Sequence, residues 1–305
     1  MTERTVLFGA GLGAWNGADV GAVAETVALA QLADSLELDL FSVADHPYFA
    51  DRLDAYATLA FLLGRTTRVA GVVTVTNLPS RPAPMLARAI TSLSVLSGRR
   101  VVLGLGAGFL WDEIVKLGVP RLEPGAAVHA LAEAITLIRA LSGGGEPATF
   151  DGARYQVSGV VPAAEPAPMI WTGSVGPRSL AVTGRLADGW VPARGSDWLS
   201  ALYQQSRPII DEAAVAAGRD PAAVVTMFNF GGRITPEPLP ATRGDDGRWI
   251  GGSAAQWIEE LTGAVLEHQA GGFFYRGTDD TSPAVALQRW AEEVVPAVRA
   301  AAAAG

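Results

Sequence analysis

The chain has 305 residues, 49% of them hydrophobic, enough for one large core, either a single α/β barrel or two smaller domains. Its formal net charge of -8 argues against a nucleic-acid partner, since no basic stripe is available to displace phosphate counterions. It has no cysteine, no bilayer-length apolar run and no signal-like apolar core after Met1-Thr2-Glu3-Arg4; disulfides and Cys-based metal sites are excluded, and a soluble cytoplasmic protein with no membrane partner is expected.

Strands and helices alternate along the chain. Residues 5–10 read as a strand and 21–36 as a helix with Val23, Val27, Ala30 and Ala33 on one face. A strand over 38–43 and a helix over 54–64 follow, with Asp54 as N-cap. The Val-rich run 68–76 suits a strand buried on both faces, and 82–96 a helix that tolerates Pro82 and Pro84 in its first turn. A fourth strand spans 100–105 and a fourth helix 126–141. Residues 148–157 read as a small hairpin inserted into this rhythm. Then come strand 169–172, helix 177–184, strand 189–192, helix 196–217, strand 223–230 and a polar loop 235–248. Helix 253–268 with Ser253 as N-cap, strand 272–275 and helix 282–303 complete the chain. Eight strands, each followed by a helix, predict a single (βα)8 TIM barrel over 1–305. The rival, an open doubly wound sheet, would want a Gly-x-Gly-x-x-Gly loop after its first strand. Gly9-Ala10-Gly11-Leu12-Gly13 lacks that spacing.

Chemistry gathers where strands end. Ser42-Val43-Ala44-Asp45-His46-Pro47 closes the second strand, and Gly104-Leu105-Gly106-Ala107-Gly108 closes the fourth. Glycines there bring bare backbone close to something large or permit a tight turn. Gly173-Ser174-Val175-Gly176-Pro177-Arg178 leads into a helix whose free N–H groups, with Ser174 and Arg178, suit an anion. An Asp-His pair can equally cap a turn, and a Gly-rich βα loop can be only a turn. No His-x-His or His-x-x-x-His spacing supports a metal site, and Lys116, the one lysine, lies outside every strand.

Together these motifs resemble the bacterial-luciferase-like flavin-dependent oxidoreductases, including their deazaflavin branch. The segments carrying the resemblance are 42–46, 87–99 with 104–108 and Glu113, 173–178 with Gly184-Arg185-Leu186-Ala187-Asp188-Gly189-Trp190, and 252–258. The resemblance implies a flavin-type ring over the barrel's C-terminal mouth. It implies a non-proline cis peptide near Gly71-Val72-Val73, and Thr74, Ala107 and Gly108 beside the ring or its ribityl chain. Gly173, Ser174, Val175, Gly176 and Arg178 would hold the phosphate. His46 would be the catalytic residue, oriented by Asp45. Trp15, Tyr48, Phe49, Phe109 and Trp111 would form an apolar substrate pocket, or simply pack the barrel rim. Phe109 stands where the sugar-phosphate branch has a glutamate, Ala127 where an arginine is usual, and the phosphate-gripping lysines are absent. The implied activity is hydride transfer between coenzyme F420 and a small apolar substrate. The alternatives are a reduced-FMN monooxygenase and a non-catalytic flavin-binding barrel. Such barrels pair through the helices after strands two and three, so a homodimer through Ala57, Ala60, Phe61, Ala89 and Leu93 is expected, although those residues could equally face inward.

Overall fold

The protein is described by a computed structural model covering residues 5–12, 20–193, 195–278 and 282–304. In chain order the elements are β1 (Leu7–Gly11), α1 (Val20–Ser35), β2 (Leu40–Val43), α2 (Ala55–Leu63), β3 (Ala70–Val73), β4 (Thr76–Asn77), α3 (Ala83–Ser97), β5 (Val101–Gly106), α4 (Trp111–Ile114) and α5 (Pro124–Ala140). The second half holds β6 (Ala148–Asp151), β7 (Gln156–Val160), β8 (Ile170–Thr172), α6 (Pro177–Leu186), β9 (Gly189–Trp190), α7 (Ala201–Ala216), β10 (Val225–Thr235), β11 (Gly251–Ser253), α8 (Ala254–His268), β12 (Ala270–Gly277), α9 (Pro283–Arg289) and α10 (Val295–Ala304).

The strands β1, β2, β3, β5, β8, β9, β10 and β12 pair in parallel in that order, and β12 returns to β1, so the sheet closes into an eight-stranded barrel. Closure removes every barrel edge. The barrel interior is filled by Leu40, Val72, Val102, Trp171, Met227 and Phe274. A larger apolar shell, including Phe8, Phe41, Leu103, Ile170, Phe228 and Phe273, lies between strands and helices. Alternate strand residues face opposite sides. Asn229, Gly231 and Arg233 therefore share the inward parity of Met227, and Arg276 that of Phe274.

The expected caps are present. The Asp54 carboxylate accepts from the Tyr56 and Ala57 N–H groups, and Ser253 forms a capping box with Gln256. The third strand departs from the single run expected over 68–76. It breaks at the cis Thr74–Val75 peptide, and β4 then pairs with β5. The cis bond thus falls just beyond the Gly71-Val72-Val73 stretch. The helix expected from residue 196 starts at Ala201, because the Ser200 hydroxyl accepts from the Tyr203 N–H and residues 196–200 form turns. The seventh strand runs on to Thr235, and β11 pairs beside its end. On the outer faces of α2 and α3, Phe61 is 49% exposed and Ala57, Ala60 and Ala89 are exposed, but Leu93 packs inward at 8%. No described helix is long and apolar enough to cross a membrane.

Candidate active site

The second strand delivers Asp45 and His46 to the C-terminal rim. Asp45 is buried, and both its oxygens are taken: Arg81 donates from Nε at 2.9 Å and from Nη2 at 2.7 Å, and the Asn77 N–H donates at 2.9 Å. Arg81 also binds Asp54 at 2.7 Å and lies over the Tyr56 ring, whose hydroxyl bonds Thr76 at 2.7 Å. Burial alone would lower the Arg81 pKa, but hydrogen bonds and charge from Asp45, then Asp54, push it up. Asp45 is therefore a strut between the ends of β2 and β4. Arg81, Asn77 and Tyr56, the partners in this strut, carry no motif signature, so sequence reading missed them.

His46 takes its hydrogen bond from a different partner than expected. Its Nδ1 and the Tyr48 hydroxyl are 2.8 Å apart, and Asp45 acts on the ring only through its charge. Burial lowers the His46 pKa below its ordinary 6.5, the Asp45 charge opposes this, and Arg52 adds to the lowering. Burial thus favours the neutral imidazole. Tyr48 and Phe49 meet edge to face at 4.8 Å, and Phe49 also contacts His46 at 5.9 Å. Burial raises the Tyr48 pKa, so its hydroxyl stays protonated.

The residues expected beside the cofactor separate into two groups. Gly71, Val72 and Val73 are buried in strand packing. A Cβ on Gly71 would lie 2.4 Å from Leu59 Cδ1, Val72 belongs to the interior core, and Val73 to the outer shell. Thr74 and Val75 are the part of this strand that reaches the mouth, both partly exposed. The glycines of the fourth strand, and Gly173 just beyond β8, lie against Val75. A Cβ on Gly104, Gly106 or Gly173 would lie 3.2, 2.8 or 2.7 Å from the Val75 side chain. Their bareness makes room for that residue. Ala107 is half-buried against the outer shell, and Gly108 is closed in by Pro79 and Trp111. Among the pocket aromatics, Phe109 is 71% exposed and Trp111 covers Gly108; Trp15 lies outside the described residues.

The loop from Gly173 to Gly176 rests on a buried hydroxyl relay. Thr172 and Thr183 hydroxyls are 2.7 Å apart, Thr183 reaches Ser174 at 2.9 Å, and Trp190 Nε1 donates to the Ser174 carbonyl. Above this footing the N–H groups of Ser174, Val175 and Gly176 have no partner among the described residues, and Gly176 caps α6 without a side-chain bond. Such a cluster suits a phosphate. Arg178 reaches over the first turn of α5 at Gly125. A flavin-type ring carries an imide N–H donor, and the buried Asn77 Oδ1 beside the break in the third strand is an acceptor with no partner among the described residues. The residues present therefore fit such a group.

A closed parallel barrel with its polar chemistry at the C-terminal strand ends defines an α/β-barrel enzyme scaffold. The family model of the luciferase-like monooxygenases matches residues 2–237. The chain belongs to that family. It is 32% identical over 206 residues to the F420-dependent glucose-6-phosphate dehydrogenase of Microbacterium testaceum (strain StLB037), covering 65% of this chain and 60% of that relative. The chain thus spans less than two thirds of that relative's length. The fold matches the coenzyme F420-dependent tetrahydromethanopterin reductase from Methanopyrus kandleri with a TM-score of 0.78 at 16% identity, over 96% of this chain and 99% of the other. It also matches the oxygenating constituent of 3,6-diketocamphane monooxygenase from Pseudomonas putida, in complex with FMN, with a TM-score of 0.74 at 15% identity, over 96% and 98% of the two chains.

Proposed function

We propose that this protein is an oxidoreductase that binds coenzyme F420 across the barrel mouth and acts on a small molecule. The observation that carries the reading is the presence, at one rim, of a half-buried His46 held by Tyr48 and a loop at Ser174–Gly176 whose N–H groups have no partner among the described residues. Ser174, Val175 and Gly176 would hold the cofactor phosphate, and Thr74, Val75 and Asn77 would border its ring. When bound, the cofactor supplies two-electron hydride chemistry. The protein's own part is a proton. In the tautomer with hydrogen on Nδ1, His46 donates to Tyr48, and Nε2 is free to accept the proton of a substrate hydroxyl and to return it in the reverse direction. FMN, the alternative, shares ring size, ribityl chain and phosphate, and would use the same residues.

Visible-absorbance titration of the purified protein with F420 and with FMN tests the cofactor. F420 should bind more tightly; binding of FMN alone selects the monooxygenase reading, and failure of both selects the non-catalytic barrel. His46→Ala should keep cofactor affinity and lower turnover by at least about 100-fold, the scale of a lost acid–base group; unchanged turnover removes His46 from the mechanism. Two copies would pair through Ala57, Ala60, Phe61 and Ala89. Sedimentation of Phe61→Asp, expected to be monomeric, checks this.

A further inference from the structure

A cavity of about 670 Å³ opens at the same rim, where β10 and β12 end. That volume is in the range of small-molecule sites. In a chain of net charge -8, three arginines, Arg233, Arg248 and Arg276, line it. Two are fixed at the base. The Arg233 N–H donates to the Ile250 carbonyl, its carbonyl accepts from Trp257 Nε1 at 2.8 Å, and it stands in register with Gly251. Arg276 is held in register with Gly231 on the adjacent strand. Both have inward parity, and neither head bonds a described residue. Arg248, on the loop above, has one pair at the rim, with Asp246 at 3.4 Å. Asp197, the one carboxylate among the described residues of the lining, is already bound by Arg243 at 2.6 Å. It leaves Arg233 and Arg276 without a carboxylate partner among the described residues. Arg100 and Arg207, in contrast, donate to carbonyls and hydroxyls that the fold itself supplies.

Gly11 lies between the lining of this cavity and the second strand. A Cβ on Gly11 would lie 3.5 Å from Asn229 Oδ1 and 3.7 Å from Arg276 Cβ. On its other side Gly11 is in register with Ser42, on the strand that leads to His46. We propose that this cavity is an anion subsite: the substrate acted on at His46 carries an oxyanion, a carboxylate or a phosphate ester, held by Arg233 and Arg276 with Arg248 closing from the loop. Guanidinium forks match both oxyanions, and Phe230 and Trp249 offer an apolar wall to the rest of the molecule. Assigning the ligand as substrate rests on the proposed function; the anion site itself does not need the cofactor. This adds a charged handle to the apolar pocket expected from sequence.

Isothermal titration calorimetry at low ionic strength tests it, using benzoate, phenyl phosphate and neutral benzyl alcohol against the wild type and the Arg233→Gln/Arg276→Gln double variant. At least one anion should bind about tenfold or more tightly than the alcohol, and added salt should weaken it. The double variant should erase that preference without a change in melting temperature. The two anion arms show which oxyanion is preferred. A parallel absorbance titration with F420 and FMN separates the two claims, because the double variant should bind cofactor as the wild type does. Cofactor binding without an anion preference overturns the subsite alone. An anion preference without cofactor binding overturns the cofactor reading alone. Loss of cofactor and anion affinity together overturns the assignment to substrate.

Discussion

Replacing Arg81 by Met should cost about 3–5 kcal/mol of folding stability, the range for stranding one member of a buried ion pair. The size follows from Asp45. Its side chain is 1% exposed against 19% for Arg81, and of its three hydrogen bonds only that from the Asn77 N–H would remain. An exposed pair would be worth at most about 1 kcal/mol, and the second bond of Arg81, to the 48% exposed Asp54, belongs to that weaker class. Urea denaturation followed by circular dichroism measures the loss, a large part of the roughly 5–15 kcal/mol that holds a domain together. Arg81→Lys keeps the charge without the fork and should fall between wild type and Met. Asp45→Leu/Arg81→Met strands no charge and should cost less than the sum of its single variants. A loss below about 1 kcal/mol for Arg81→Met would refute the reasoning, because Asp45 would then be solvated like a surface group.

His46 should titrate below 6.5 by NMR, where its burial holds it. The unfolded ring then binds more protons than the folded one, so its contribution to stability is present above pH 6.5 and is lost as pH falls from there through the folded pKa. Arg52→Gln removes a charge that lowers this pKa and should move it up; a downward shift would contradict the cause assigned. Gly104→Ala should destabilise by about 3 kcal/mol or prevent folding, since its Cβ would lie 2.0 Å from the Val73 carbonyl oxygen. Thermal melts check this against Gly98→Ala, which meets nothing within 4 Å, has φ +69° and should cost about 1 kcal/mol. Thr183→Val leaves the Thr172 and Ser174 hydroxyls short of a partner and should cost about 1–3 kcal/mol in urea denaturation.

The barrel was legible because its signals are local. Val-rich runs such as 68–76 mark strands buried on both faces, and caps such as Asp54 and Ser253 mark helix starts. The short elements were not. β4 has two residues and β11 three, and each exists only because a neighbouring strand lies ready to pair. At the site, His46 and the 173–178 loop stood out by residue type and position after a strand. The Arg81 strut and the arginine-lined cavity did not, since Asp45 and Arg81 are 36 residues apart and Arg233 and Arg276 look like any surface arginine in sequence.

Alternation and punctuation in the chain alone determined that eight strand–helix units would form and that chemistry would gather at strand ends, because propensity, capping and period depend on near neighbours. Closure of the barrel decided the rest: which residues point inward, that Asp45 binds Arg81 while Tyr48 holds His46, and that the bare strand beside Val75 is filled by the protein itself. Those outcomes depend on distances between residues far apart in the chain, which residue type and local period do not encode.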